Sequence, residues 1–97
     1  MYTATMNYQF KPGDFDKACA LWQHHVLQVA RDQPGFVRMQ FLVNPPQAMA
    51  IGTWQAKSFA EAFMQTGVFK RLMVELDQYC DGKPNPQTWD LLYFEQV

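Results

Sequence analysis

Between Pro34 and Phe69 the apolar residues change their period, and that change restricts the chain to a mixed architecture. Pro34-Gly35 opens a run from Phe36 to Val43, and a second run from Ala48 closes at Thr53-Trp54-Gln55. Asn44-Pro45-Pro46-Gln47 lies between them, a separation that suits an antiparallel hairpin centred between the two prolines. Ser58 followed by Glu61 is a capping-box pair, which predicts a helix starting directly after the second run and ending at Gly67. From Val68 to Tyr79, Phe69, Leu72, Met73 and Leu76 recur at helical spacing and predict a second helical piece.

The flanks complete the pattern. Tyr2, Ala4, Met6, Tyr8 and Phe10 alternate with Thr3, Thr5, Asn7 and Gln9, the signature of a half-buried strand. Lys11-Pro12-Gly13 ends it, Asp14 is a natural N-cap, and Phe15, Ala18, Cys19, Trp22, Val26 and Val29 trace one helical face up to Arg31. Pro34 and Gly35 stop that helix. Cys80 to Gln87 reads as a loop, and Thr88 to Glu95 returns as a strand. The sum is an α+β chain of ferredoxin-like βαββαβ order: one domain over residues 1–97, with both helical segments on one face of a four-stranded antiparallel sheet.

That arrangement leaves the second sheet face bare. Trp89, Leu91 and Tyr93 alternate with Leu92 and Phe94, and Phe36 and Leu42 oppose Val37, Met39 and Phe41, so apolar residues fall on both faces. Water penalises such a surface, and a second copy packed sheet to sheet would cover it, which predicts a homodimer. Size points the same way. A domain of 97 residues buries only about 60 to 65 % of its unfolded surface, yet 48 % of this chain is hydrophobic and 15 % aromatic. Some of those aromatics are expected to face a partner or a small apolar or aromatic ligand.

Charge and cysteine usage narrow the function classes. A formal net charge of -1 supplies no footprint for nucleic acid or an anionic membrane. No run approaches the roughly 20 apolar residues that span a bilayer, and Met1-Tyr2-Thr3 has neither the basic start nor the apolar run of a signal peptide, so a cytoplasmic location is expected. Cys19 and Cys80 have no zinc or disulfide spacing and read as reduced packing thiols. His24 points away from the apolar face of its helix, while His25 borders it. Adjacent helical residues point about 100° apart, so the two cannot ligate one metal together, and no metal site is expected. Glu75, Asp77 and Asp81 read as a solvated helix end, and Arg38 as an interface residue or a partner for an anionic group.

Pro34-Gly35-Phe36, the hairpin ending at Thr53-Trp54, Ser58-Phe59-Ala60-Glu61-Ala62-Phe63 and Val68-Phe69-Lys70 together resemble the antibiotic biosynthesis monooxygenase family of dimeric α/β barrels, and Lys11-Pro12-Gly13 also fits it. The resemblance implies a cofactor-independent monooxygenase acting on a small aromatic, polyketide or quinol-type compound, or else a non-catalytic ligand-binding or scaffold dimer of the same fold. Trp54 matches the tryptophan that the family places at the end of its third strand. On the same side of that strand stand Ala48, Ala50 and Gly52, which the hairpin sets opposite Val43, Phe41 and Met39, with Trp54 opposite Val37. Small side chains there leave room for a ligand beside the indole, unless the bulky neighbours fill it. The expected pocket residues are Trp54, Tyr8, Phe41, Met39, Phe69 and Met73, with Trp54, His25 and Tyr8 as candidate catalytic groups. The haem-degrading branch of the family carries an asparagine on its first strand and a histidine after the Val-Phe-Lys segment. Here Asn7 is out of phase with Tyr8, and Arg71-Leu72-Met73 stands where the histidine belongs, so no haem or other cofactor is expected.

Overall fold

The computed structural model describes residues 1–97. Strands β1 (Tyr2–Gln9), β2 (Phe36–Asn44), β3 (Gln47–Trp54) and β4 (Asn85–Asp90) form one antiparallel sheet in the order β2-β3-β1-β4. Between β1 and β2, helix α1 (Phe15–Trp22) runs through a π-helical turn, Gln23–Leu27, into the short α2 (Gln28–Ala30). Between β3 and β4 lie α3 (Lys57–Met64) and α4 (Val68–Leu76). No helix is long and apolar enough to cross a membrane. The order is the βαββαβ one expected, with Gly67 at φ +82 turning the chain from α3 into α4 as only glycine does without strain.

The core lies between the helices and one sheet face. Tyr8, Phe10, Ala48, Ala50 and Trp54 rise from the sheet to meet Ala18, Trp22, Val26, Ala30, Ala60, Phe63, Val68, Leu72 and Leu76. The first helical segment buries Ala30 where the α-helical period predicts Val29. The π turn explains the difference: Gln28 N–H reaches back to Gln23 O, five residues away, and the added residue shifts the buried face by one. The wider turn keeps Ala18, Trp22, Val26 and Ala30, each four apart, on a single face.

Two boundaries and one register depart from the sequence reading. Helix α3 starts at Lys57 behind an extended Ala56, so Ser58 lies inside the helix and caps nothing. The last strand occupies Asn85–Asp90, not Thr88 to Glu95, because Asn85 to Asp90 pair with Asn7 to Tyr2 while the residues after Leu91 find no strand partner. Strand β2 carries a bulge at Val37: Arg38 pairs with Thr53, and the next pairing is Phe36 with Trp54. A bulge lets one strand spend two residues against one. It therefore brings Phe36 to the face of Met39 and Phe41 and puts Phe36, not Val37, against Trp54, ring edge to ring face at 5.6 Å.

The other sheet face has no helix. Thr3 and Thr53 share a hydroxyl contact of 3.2 Å there, and Trp89 Nε1 donates to Thr5 Oγ1 at 3.0 Å. The segment after β4 reaches Arg38, whose guanidinium lies 4.9 Å from the Phe94 ring centre and donates to the Gln96 side chain. Arg38 thus stands on this face, as its phase requires, without an acidic partner.

Candidate functional site

The pairing register places four residues in one row across the sheet beneath the helices: Thr88 on β4, Ala4 on β1, Gly52 on β3 and Met39 on β2. The rows on either side are bulkier. Pro86, Met6, Ala50 and Phe41 form one, and Asp90, Tyr2, Trp54 and Phe36 the other. Directly opposed residues of an antiparallel pair share a face with Cβ atoms about 5 Å apart, so Ala4 and Gly52 make the floor of a trough. Trp22 and Val26, Ala60, Phe63 and Met64, and Phe69 of α4 roof it, enclosing an apolar cavity of about 40 Å³.

Two side-chain tips converge on the middle of that floor. A methyl group built on Gly52 would lie 2.9 Å from Met39 Cε and 3.4 Å from Trp54 Nε1. The Trp54 ring is almost fully buried, packed on Phe63 at 5.0 Å between ring centres, with Phe69 edge-on to Phe63 at 5.7 Å. Its N–H takes no part in the protein's side-chain hydrogen bonds. The wall therefore offers one indole donor over a bare stretch of backbone, in surroundings where a matching acceptor would be strongly held. The Met39 methyl occupies the space that Gly52 leaves, and a thioether side chain changes rotamer at little cost.

The cavity's wall includes Trp54, Met39 and Phe69 from the set named by sequence. Tyr8, Phe41 and Met73 lie off it. Phe41 turns one row away to stack on Trp22 at 4.3 Å, and Tyr8 stacks on Phe10 at 5.3 Å, a further row along β1. Burial pushes the Tyr8 hydroxyl well above the usual phenol range, with the neighbouring Cys80 thiol adding to the effect and the Trp22 indole opposing it. That shift favours the protonated phenol. The Trp22 N–H, though turned towards Tyr8, makes no hydrogen bond of normal geometry and is fully enclosed without a partner. His25 is at the outer surface, where it pairs with Glu75 and ties the π turn to α4. That pairing corrects the reading of Glu75 as merely solvated. Burial also raises both cysteine thiols, so neither is primed as a nucleophile.

Trp22, Val26, Phe63 and Met64 were absent from the set of expected pocket residues. Their helical spacing marks them as core, and nothing in the spacing separates a residue that fills a core from one that borders a gap in it. Asn7 faces away from the cavity, opposite Met49 and Asn85. The wall presents neither histidine nor thiolate, the usual axial ligands of a haem iron, so its residues do not fit that group. No three His, Cys, Asp or Glu side chains come together as a metal cluster.

No protein-family model matches the sequence, and a search of curated proteins finds no match. An antibiotic biosynthesis monooxygenase superposes with a TM-score of 0.79 at 18% identity, covering 96% of this chain and 100% of its own. A monooxygenase from the ActVA-Orf6 gene of Streptomyces coelicolor, solved in complex with nanaomycin D, gives 0.80 at 14% identity, covering 99% of this chain and 91% of its own. A protein of unknown function from Nitrosomonas europaea gives 0.84 at 15% identity, with 99% and 93% covered. The chain has the fold of the antibiotic biosynthesis monooxygenases, a four-stranded antiparallel sheet with its helices on one side.

Proposed function

We propose that this protein binds a small, mostly apolar aromatic, polyketide or quinol-type compound in the cavity beside Trp54 and oxidises it with molecular oxygen, without a tightly held metal or flavin. The observation that carries the reading is the Trp54 N–H standing over the bare backbone of Gly52 in a mostly apolar cavity. A fold shared with a monooxygenase solved with nanaomycin D supports it. In such a reaction a substrate methylene and dioxygen yield a carbonyl and water, so the electrons come from the substrate and no external reductant is consumed. The protein's share is to strip water from the substrate, hold it flat, and stabilise the oxygen on which negative charge develops, the task suited to the Trp54 N–H. No carboxylate or histidine lines the cavity, so the substrate's own acidity must supply the deprotonated, electron-rich form that reacts with oxygen.

At about 40 Å³ the cavity is smaller than one aromatic ring, since a 150 Å³ cavity is what holds benzene. Binding therefore requires Met39 to swing out of the Gly52 gap and Met64, half exposed at the rim, to give way. The absence of an acid or base in the wall favours a second reading, a binding protein of the same fold without turnover. Oxygen uptake with a panel of anthrones and quinols, alongside ligand binding followed by tryptophan fluorescence, separates the two. Turnover that falls at least tenfold in Gly52→Ala, with the circular dichroism spectrum unchanged, is the expected result. Binding without oxygen uptake would assign the second reading, and no binding at all would remove both.

The same reading takes the protein as a homodimer joined through the uncovered sheet face. Support comes from Leu42, Met49 and Trp89, which stand exposed on that face together with Phe94.

A further inference from the structure

The geometry points to Thr88 as the residue that selects the ligand's polar end, an inference that rests on the cavity being the ligand site. Thr88 closes the β4 end of the trough. It is opposite Ala4, which is opposite Gly52, so its side chain stands at the end of the small-residue floor and on the helix side of the sheet. The solvent-exposed residues that line the cavity gather at this end, Thr88 with Pro86 on β4 and Met64 at the end of α3. Thr5 and Gln87 also border it, but their side chains belong to the opposite face, where Thr5 Oγ1 accepts from Trp89 and contacts Gln87 O. Trp22 presents its ring, its N–H being sealed against Tyr8. The Thr88 hydroxyl, free of any hydrogen bond within the protein, is thus the aliphatic hydroxyl that a ligand meets at the mouth.

The row dictates the pose. A flat ligand lies across the strands over Ala4 and Gly52, with one face on the sheet backbone and the other under Phe63 and Trp22. One end meets the Trp54 N–H near Met39, and the other meets Thr88. The ligand class is therefore a planar, apolar molecule bearing a hydrogen-bonding oxygen at its outer end, in particular a phenol, rather than a hydrocarbon of the same shape.

p-Cresol and p-xylene differ only by hydroxyl against methyl, and ligand-observed NMR with the full chain measures both. The wild type is expected to bind p-cresol more tightly. Thr88→Val, which keeps the shape and removes the hydroxyl, should weaken p-cresol about fivefold and leave p-xylene within twofold, while Thr88→Ser restores p-cresol binding. Unchanged p-cresol affinity in Thr88→Val, with both compounds still binding, would overturn the role of Thr88 and leave the cavity reading standing. Failure of both compounds to bind the wild type would overturn the two together.

Discussion

Tyr8 shows how one buried hydroxyl links stability to pH. Its ring is sandwiched between Phe10 and Phe41, and burial holds its pKa far above the ordinary value of 10.0. The unfolded chain loses that proton near pH 10 while the folded chain keeps it, so rising pH above that point favours unfolding. The stabilising contribution is complete below pH 10 and is lost as pH rises towards the folded value, at up to about 1.4 kcal/mol per pH unit. Urea denaturation between pH 9 and 11 should show this slope in the wild type and a shallower one in Tyr8→Phe. The cysteine thiols, also raised by burial, add a slope of the same sign that begins at lower pH and persists in the variant. Equal slopes above pH 10 in the two proteins would sink the assignment to Tyr8.

At the scale of elements, the turn before β2 is locked against α3. Gly35 has φ +76, and a methyl group on it would lie 2.2 Å from Phe59 Cγ. Its carbonyl accepts from Gln55 N–H at 2.8 Å, so the turn is tied to the end of β3 as well. Gly35→Ala combines a left-handed backbone with a clash against an aromatic ring, and should cost about 2 to 4 kcal/mol. Removing the ring in Phe59→Ala relieves the clash but not the backbone strain, so the two substitutions together should cost less than their sum. Strict additivity in a double-mutant cycle of chemical denaturation would contradict the contact. The hinge-like join at Gly67 and the π turn at Gln23–Leu27 are the other irregular joints, and each aims helix residues at the cavity: Phe69 follows the first, Val26 sits in the second.

The whole molecule presents two unlike sheet faces. One is sealed by helices, whereas the other leaves Leu42 48% and Trp89 50% exposed. Sedimentation at micromolar concentration should give twice the chain mass of 11.3 kDa, and Met49→Asp, on the uncovered face, should return the monomer with an unchanged far-ultraviolet spectrum. A wild type that sediments as a monomer would end the sheet-to-sheet proposal.

The sequence by itself determined the strand and helix order, the hairpin register from Val43 opposite Ala48 to Met39 opposite Gly52, the phase of Asn7, and the small-residue side of β3. All of these follow from local period and from turns, which neighbouring residues impose on one another. Only the tertiary structure decided that Phe36 joins the Trp54 face, that Ala30 is buried more deeply than Val29, and that the last strand begins at Asn85 and sets Thr88 at the border of a cavity. A bulge, a π turn and an edge pairing each insert or recruit a residue to satisfy contacts far away in the chain, and a period read along one segment carries no trace of them. The gap over Gly52 belongs to the same class. It exists because side chains from β2, β3, α1, α3 and α4 fail to fill one place together, a property of their packing and of no single stretch of sequence.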